Sequence, residues 1–338
     1  MTSTNRRLVT AGLAAAGLYT ARRLFLAPRR FDFRGAATLV TGGSRGLGLV
    51  LARELGARGA RVAICARDRD ELERAEQDLA GRGYEVLALP CDVTDREQVD
   101  DMIARVLTAW GRLDVLINNA GEIEVGPLEE MTLEDFEHQL AIHFWAHLYT
   151  TLAVLPEMQR RRRGRIVNVT SIGGKLSVPH LAPYSAAKHA SVGLSRALRI
   201  ELARYGIVVT TVAPGLMRTG SPVHADFKGQ HRKEYAWFSI GDSLPLLTTS
   251  AESAARQILR ACRRGDAEVV LTLPAKIAAV SQSLFPGLTS DVLSLVNRLL
   301  PGPGGIGRAR AEGRESQSAL SPSLLTALGD AAAARNNQ

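Results

Sequence analysis

The stretch TLVTGGSRGLG, residues Thr38–Gly48, decides the fold. A short apolar run ends at Thr41, glycines follow at positions 42, 46 and 48, and an amphipathic helical pattern begins there. Glycine lets a backbone turn tightly and approach a ligand, and the free N–H groups at a helix N-terminus bind anions. A glycine turn between a strand and a helix therefore predicts a site for the pyrophosphate of a dinucleotide.

Short apolar runs alternate with amphipathic stretches from Arg34 to Pro274. Strands are predicted over Ala37–Thr41, Arg61–Ala66, Tyr84–Leu89, Val115–Asn118, Arg165–Thr170, Val208–Ala213 and Glu268–Leu271. Helices are predicted over segments that include Leu47–Arg58, Asp68–Gly81 and Asp95–Trp110. Near-continuous apolar strands are typical of parallel sheets covered on both faces. The pattern predicts an α/β fold, a doubly wound parallel sheet of seven strands (Rossmann-like), with helices on both faces.

The composition fits one large α/β domain with additional segments. The chain has 338 residues, a net charge of +8 and basic residues that are mostly arginine. This charge suits nucleic acid, an anionic membrane surface or a phosphorylated cofactor. No nucleic-acid-binding signature accompanies it, so we expect no nucleic acid partner. Three scattered cysteines predict no disulfide framework and no metal site, and Cys65 and Cys91 are expected to be buried thiols.

Residues 1–30 form a separate N-terminal segment. An apolar run, Leu8–Ala21, lies between Arg6-Arg7 and Arg22-Arg23 and is shorter than the roughly 20 residues that cross a bilayer. Three interpretations stay open: a helix on a membrane surface, a helix packed on the protein body, and a twin-arginine export signal. Arginines where cleavage needs small residues disfavour export. We therefore expect a cytoplasmic protein, with membrane association through this helix as one alternative.

The main domain is predicted over residues 31–274, and two segments follow it. Residues 275–300 are apolar, and the sequence leaves open whether they cap the substrate cleft, contact another subunit or lie on lipid. Residues 301–338 are rich in Gly, Arg and Ser, which predicts a disordered tail with a short helix near Leu324–Arg335.

Tyr184 and Lys188 carry the predicted chemistry. Four residues apart on a helix, they share one face, and a nearby cation lowers the pKa of a phenol. A phenol so activated beside a dinucleotide predicts a redox enzyme. Between Gly220 and Pro245 we expect a substrate lid, whose aromatic residues suit an apolar substrate; they are Phe227, Tyr235, Trp237 and Phe238.

Two arginines indicate which form of the dinucleotide binds. The second predicted strand ends at Ala66-Arg67, where NAD-binding sites usually carry an acidic residue, and Arg45 lies within the glycine turn. With no carboxylate expected there, two guanidinium groups would attract a 2′-phosphate, although both could be solvated surface charges. The sequence favours NADP(H) over NAD(H).

The chain resembles the short-chain dehydrogenase/reductases from Arg34 to Pro274. The motifs that carry the resemblance are TGGSRGLG at Thr41, Asp92-Val93, Asn118-Asn119-Ala120-Gly121, Ser171 ahead of Tyr184-Ser185-Ala186-Ala187-Lys188, and Pro214-Gly215 with Thr219. The resemblance implies a carbonyl reductase or alcohol dehydrogenase acting on a small molecule, and a homo-oligomer.

The resemblance also implies a role for each site residue. Tyr184 would be the acid/base, Lys188 would lower its pKa and bind the nicotinamide ribose, Ser171 would polarise the carbonyl, and Asn118 would support the cofactor-side backbone. The implied cofactor residues are Thr41, Gly42, Ser44, Arg45, Gly46, Leu47, Gly48, Arg67, Asp92, Val93, Asn119, Ala120, Gly121, Tyr184, Lys188, Pro214, Gly215 and Thr219.

One position departs from the family pattern. His143 aligns where the family usually has an asparagine that holds a water near the lysine. It could hold a water too, or be a packed core histidine. A non-catalytic NADP(H)-binding or membrane-associated scaffold remains the alternative function, although the complete Ser171–Tyr184–Lys188 set argues against it. Sugar epimerase or dehydratase chemistry would need a longer substrate domain and a differently spaced glycine turn.

Overall fold

The computed structural model describes residues 30–338, except 246, 319, 324 and 325, together with Gly12 and Gly17. The predicted N-terminal helix over residues 1–30 lies almost entirely outside this part of the chain. The described residues form a seven-stranded parallel sheet with helices on both faces, which confirms the predicted fold class.

The elements follow the predicted alternation. The strands of the sheet are β1 Ala37–Thr41, β2 Arg61–Ala66, β3 Val86–Pro90, β4 Val115–Asn118, β5 Gly164–Val169, β6 Ile207–Ala213 and β7 Glu268–Val270. The helices are α1 Gly46–Gly56, α2 Arg69–Gly81, α3 Arg96–Trp110, α4 Leu133–Leu140, α5 Ala146–Arg161, α6 Ala182–Leu202, α7 His231–Ser243, α8 Ala251–Arg264, α9 Leu273–Leu284, α10 Pro286–Asn297 and α11 Ala327–Arg335. A π-helical turn, Ala141–Trp145, joins α4 to α5.

The strand order places the ligand site. Across the sheet the order is β7-β6-β5-β4-β1-β2-β3, and each neighbouring pair is parallel. The order reverses between β1 and β4, because the chain returns from β3 to the other side of β1. Such a reversal leaves a crevice at the carboxyl ends of the strands, where α/β proteins bind their ligands.

Alternate side chains of the central strands enter two separate cores. Val40 and Ile64 pack in the layer that contains α1, α2 and α8, whereas Leu39 and Cys65 pack in the layer that contains α3 and α5. This two-residue period is the geometry of a strand buried on both faces. Cys65 and Cys91 are free and buried, as predicted.

A small second layer covers the carboxyl edge of the sheet. Asp226–Phe227 pairs in parallel with Glu124–Val125 and antiparallel with Ala311–Glu312. Phe227 and Tyr235 are buried in the apolar cluster beneath this layer. The region predicted as a lid is therefore a packed layer with its own core.

The segment beyond residue 300, which the sequence predicts to be disordered, has defined structure in its described residues. Ala311–Glu312 adds an edge strand, and α11 packs against α7. Arg310 anchors the segment, because its guanidinium lies 2.7 Å from Asp135 Oδ1 and 3.2 Å from Glu124 Oε1. Both carboxylates are buried, so the composition of the segment could not reveal its partners.

Helices α9 and α10 form a hairpin with an exposed apolar surface. Its exposed large side chains are Leu273, Ile277, Val280, Leu284, Phe285, Leu288, Val292, Leu295 and Val296, and the exposed Leu299 follows just after α10. The base of α9 lines the cleft through Pro274, Ala275 and Ala278. Among the described helices, none combines the length and the apolar character needed to cross a bilayer.

Candidate active site

The turn after β1 has a backbone that favours glycine. Gly42 and Gly46 have φ angles of +61° and +55°, which L side chains rarely adopt. A Cβ atom at Gly48 would lie 1.9 Å from the carbonyl oxygen of Gly42, so a larger residue would separate the turn from α1. No side chain caps α1 at Arg45. The turn therefore brings backbone N–H groups to the open edge of the sheet.

Thr41 fastens this turn to the turn after β4. Its Oγ1 accepts hydrogen bonds from the N–H groups of Asn119 and Ala120, at 2.9 and 3.0 Å. Asn119 Nδ2 donates in return to the carbonyl oxygens of Thr41 and Gly42, at 3.0 and 3.2 Å. The two motifs that the sequence singled out thus support each other at the edge of the sheet.

Arg45 and Arg67 each pair with a carboxylate. Arg45 Nη1 lies 2.6 Å from Glu71 Oε1, Ser44 Oγ donates to Glu71 Oε2 at 3.2 Å, and Arg67 forms an ion pair with Glu122. The expectation that no carboxylate lies at this end of the site is wrong, because Glu71 reaches it from α2. Both guanidinium groups nevertheless line the cleft.

Glu71 is a site residue that the sequence reasoning missed. Asp68 caps α2 and accepts a hydrogen bond from the N–H of Glu71 at 2.8 Å. The available signal was the capping pattern, an aspartate followed three residues later by a glutamate. That cap sets the first turn of α2 so that the Glu71 side chain faces the glycine turn.

Ser171, Tyr184 and Lys188 meet in the same cleft. Helix α6 begins with a proline in its first turn, and Tyr184 and Lys188 are both buried on the helix face that meets the sheet. Lys188 Nζ lies 5.5 Å from the centre of the Tyr184 ring and donates to the carbonyl oxygen of Val169 at 3.3 Å. Ser171 Oγ accepts from the N–H of Gly173 at 2.9 Å, which fixes the hydroxyl beside the ring.

Burial pushes both reactive groups toward their neutral forms. It raises the pKa of Tyr184 to about 12, and a hydrogen bond with Ser171 acts in the lowering direction. It lowers the pKa of Lys188 to about 7. The sequence predicts that the ammonium lowers the pKa of the phenol, but in this structure burial raises that pKa, and the group that acts in the lowering direction is Ser171.

Asn118 lies behind the cleft and does not line it. Its Nδ2 donates to Asn168 Oδ1 at 2.9 Å, and its Oδ1 accepts from Thr150 Oγ1 at 2.7 Å. Asn168 in turn donates to Ser195 Oγ at 3.0 Å. This buried network ties β4 to β5, α5 and α6, so Asn118 positions the edge of the sheet and does not itself reach the cleft.

His143 lies on the π-helical turn and contacts Tyr184. Its Nε2 is 2.8 Å from the carbonyl oxygen of Glu122, and its ring meets the Tyr184 ring edge-on, with centres 5.2 Å apart. Burial first, and then the charge of Lys188, hold the pKa of His143 well below its usual range. Its Nδ1 has no hydrogen-bond partner among the described residues. The neutral ring is therefore packed in place and keeps a free acceptor.

The predicted cofactor residues mostly gather around one cleft of about 1310 Å³. Those that line it are Gly42, Ser44, Arg45, Gly46, Leu47, Gly48, Arg67, Val93, Asn119, Ala120, Gly121, Tyr184, Lys188, Pro214, Gly215 and Thr219. Thr41 and Asp92 do not line the cleft. Thr41 acts through the turn above, and the Asp92 carboxylate accepts from the N–H and hydroxyl of Thr94.

Part of the cleft has an apolar lining. It is lined by Leu176, Val178, Leu181, Trp237, Phe238 and Leu247. Of the four aromatic residues expected to face a substrate, Trp237 and Phe238 line the cleft, whereas Phe227 and Tyr235 are core residues with 0% and 2% exposure.

The sequence matches the family profile described as short chain dehydrogenase over residues 36–226. The match covers more than half of the 338-residue chain. The chain belongs to this family.

Similar proteins include several ketoreductases. The granaticin polyketide synthase putative ketoacyl reductase 1 of Streptomyces violaceoruber is 42% identical over 183 residues, which are 54% of this chain and 67% of that protein. Dehydrogenase/reductase SDR family member 7B of Bos taurus is 30% identical over 284 residues, 82% of this chain and 86% of that protein.

Two solved structures of similar proteins contain NADPH or NADP. A variant of actinorhodin polyketide ketoreductase with NADPH is 32% identical, with a TM-score of 0.64, over 70% of this chain and 96% of that one. A metagenomic short-chain oxidoreductase in complex with NADP is 29% identical, with a TM-score of 0.58, over 72% of this chain and 99% of that one.

Proposed function

We propose that the protein is an NADP(H)-dependent oxidoreductase that interconverts a carbonyl group and a secondary alcohol. The observation that carries the proposal is that Ser171, Tyr184 and Lys188 line the same cleft as the glycine turn. The cleft, about 1310 Å³, exceeds the roughly 300–1,000 Å³ of common small-ligand pockets. A dinucleotide and a substrate can therefore occupy it together.

The residues of the cleft fit a phosphorylated dinucleotide. Gly42 and Gly46 have positive φ angles, and the helix that follows has no side-chain cap, so the turn presents backbone N–H groups that suit a pyrophosphate. Arg45 and Arg67 would hold the 2′-phosphate, which carries more negative charge than the carboxylates that pair with them now. The NADPH and NADP in the two similar structures support this choice.

Each catalytic side chain has a distinct proposed role. When bound, the nicotinamide ring supplies or accepts the hydride. In reduction, Tyr184 donates its proton to the substrate oxygen, which the Ser171 hydroxyl holds, and in oxidation the proton returns. Charged Lys188 stabilises the phenolate that this transfer leaves, offsetting the burial that raises the pKa of Tyr184.

The substrate in this proposal is an apolar ketone or the corresponding secondary alcohol. Trp237, Phe238 and Leu181 line the part of the cleft next to Tyr184 and offer little polar surface. The ketoreductases among the similar proteins support a ketone as the substrate.

We also propose that the enzyme is cytoplasmic, because NADPH is supplied there. A homo-oligomer and membrane association through residues 1–30 stay predictions.

Cofactor consumption by the purified protein tests this function. We expect oxidation of NADPH with ketones, a kcat/KM that rises with the length of the apolar chain, and NADPH preferred over NADH by about tenfold or more. Ser171→Ala should lower kcat about a hundredfold. Ser177→Ala, at an exposed serine of the same loop, is the matched control and should change little.

Two results would contradict separate parts of the proposal. If the protein consumes no NADPH with any carbonyl compound and no NADP⁺ with any alcohol, the enzymatic function is rejected and a cofactor-binding protein is favoured. Equal use of NADH and NADPH would reject the assignment of Arg45 and Arg67 to a 2′-phosphate.

A further inference from the structure

Residues 336–338 lie against the glycine turn of the cofactor cleft. The N–H of Gly46, at the N-terminus of α1, donates to the carbonyl oxygen of Asn336 at 2.8 Å. Gln338 lines the cleft, and its Nε2 lies 3.4 Å from the carbonyl oxygen of Thr219. A Cβ atom at Gly46 would be only 2.6 Å from that same Nε2. Residues 336–338 thus occupy the space beside Gly46 that a larger side chain there would need.

Side chains on both sides of the turn anchor this segment. Asn337 Nδ2 donates to the carbonyl oxygens of Ser44 and Glu71, at 2.9 and 3.1 Å. Asn337 Oδ1 accepts from Arg74 Nε at 3.0 Å. Arg53 Nη1 also donates to the carbonyl oxygen of Arg335 at 3.1 Å, close to where α11 ends.

The opposite side of the segment is closely packed as well. Gly220 has a φ of +86°, and a Cβ atom there would lie 2.4 Å from Ala333 Cα. Gly220 directly follows Thr219, one of the predicted cofactor residues. Helix α11 therefore enters a space bounded by the glycine turn on one side and the loop after β6 on the other.

We propose that residues 327–338 form a gate over the phosphate end of the cofactor site, and that NADP(H) must displace residues 336–338 to bind. An N–H group at a helix N-terminus can serve a peptide carbonyl or a pyrophosphate oxygen, but not both. The pyrophosphate forms the stronger, charge-assisted hydrogen bond, so it displaces the carbonyl oxygen of Asn336 from the N–H of Gly46 when the cofactor concentration is high. This inference rests on the proposed function, which assigns the turn to a dinucleotide.

The gate has a measurable thermodynamic consequence. When only a fraction of the molecules is open, the apparent dissociation constant rises by the inverse of that fraction. Loosening the anchors of residues 336–338 should therefore tighten the binding of NADPH, although these residues touch none of the reacting atoms. If residues 336–338 instead closed over bound cofactor, substitutions that loosen their anchors would weaken the binding of NADPH.

Fluorescence titration of the full chain with NADPH measures this effect. Asn337→Ala removes the side-chain anchors and should tighten NADPH binding about tenfold, and Arg74→Ala, which removes one exposed bond, about threefold. Gln77→Ala, an exposed neighbour on α2 without a bond to the segment, is the matched control and should stay within twofold of wild type.

Hydrogen–deuterium exchange shows where the segment goes. On addition of NADPH, amides of residues 327–338 should exchange faster while those of residues 42–48 become protected. Slower exchange in 327–338, or unchanged affinity in both anchor variants, would overturn the gate and leave the proposed function standing. Failure of NADPH to bind any variant or to protect residues 42–48 would overturn the proposed function and the gate together.

Discussion

At the scale of single residues, the site buries an amine and a phenol side by side. Tyr184 and Lys188 have 9% and 4% exposure. Burial raises the pKa of Tyr184 and lowers that of Lys188, and both shifts favour the neutral form of the side chain. Burying these groups lowers the free energy of unfolding, and active sites commonly combine such a loss of stability with reactive, shifted pKa values. The cost can be measured through its pH dependence.

Lys188→Met should stabilise the protein more at pH 6 than at pH 9. The pKa of Lys188 is about 7 in the folded chain against an ordinary 10.5, so between these values the unfolded chain binds one more proton and stability rises with pH. Below pH 7 both states carry the proton, and the folded state bears the full cost of a buried charge. Denaturant unfolding should show a gap between variant and wild type larger by about 3 kcal/mol at pH 6 than at pH 9.

Lys276→Met, at an exposed lysine on α9, is the control and should show no such change. A gap for Lys188→Met that is the same at pH 6 and pH 9 would mean that burial does not lower the pKa of this amine.

His143→Asn should reduce kcat/KM by less than about tenfold. The ring is held neutral and makes one positioning bond to the carbonyl oxygen of Glu122, and an asparagine amide can also donate. Steady-state kinetics from pH 6 to 9 measure the effect, with His189→Asn at an exposed site as the control. A larger loss, or a new titration in that range, would show that the histidine has a further role.

Most of the individual site residues could be predicted from the sequence, but their partners could not. Ser171, Tyr184 and Lys188 are brought together by β5 and α6, whose apolar patterns are strong. The role of Glu71 could not be predicted, because nothing in the spacing of the sequence shows that its side chain on α2 reaches Arg45. Likewise, Tyr235 could not be assigned to a core before its neighbours were known.

At the scale of elements, short turns set the geometry of the site. Strands β1, β2 and β4 have the predicted bounds, since their ends are marked by glycine or by polar residues. The sequence predicts that two helices begin at Asp68 and Asp95, but each helix begins one residue later, and the aspartate is its N-cap. Boundary errors of this size do not affect the site, because the cleft depends on the turns.

Gly48→Ala should abolish NADPH binding and destabilise the fold by about 3 kcal/mol or more. Its Cβ would lie 1.9 Å from the carbonyl oxygen of Gly42, and neither backbone can move without opening the turn. Gly81→Ala is the matched control, because a Cβ there meets nothing within 4 Å and alanine favours a helix by about 0.5–1 kcal/mol. Urea unfolding and cofactor titration of both variants test this; normal binding by Gly48→Ala would contradict the assigned turn.

At the scale of the whole molecule, segments outside the family match surround the cleft. The α9–α10 hairpin contributes to its lining, and residues 327–338 reach its phosphate end. The sequence predicts a short helix near Leu324–Arg335, which α11 matches, but it predicts disorder for the rest of residues 301–338. Their Gly-, Arg- and Ser-rich composition does not show ion pairs such as that of Arg310 with Asp135. Contacts between distant parts of one chain leave no local pattern, so composition alone could not predict them.

Leu288→Ser on the hairpin should change the free energy of unfolding by no more than about 0.5 kcal/mol. Leu288 is 65% exposed, so the substitution removes little buried apolar area. Leu55→Ala, in the fully buried core, should cost about 2–5 kcal/mol in the same denaturant assay. A loss at Leu288 similar to that at Leu55 would show that this face is covered in solution.

The most direct test of the whole account compares turnover and cofactor affinity in wild type and Tyr184→Phe. The substitution removes one hydroxyl and keeps the ring that packs against His143. The account predicts that turnover of an apolar ketone falls at least about a hundredfold, while the dissociation constant of NADPH changes less than about threefold. Undiminished turnover in Tyr184→Phe would contradict it.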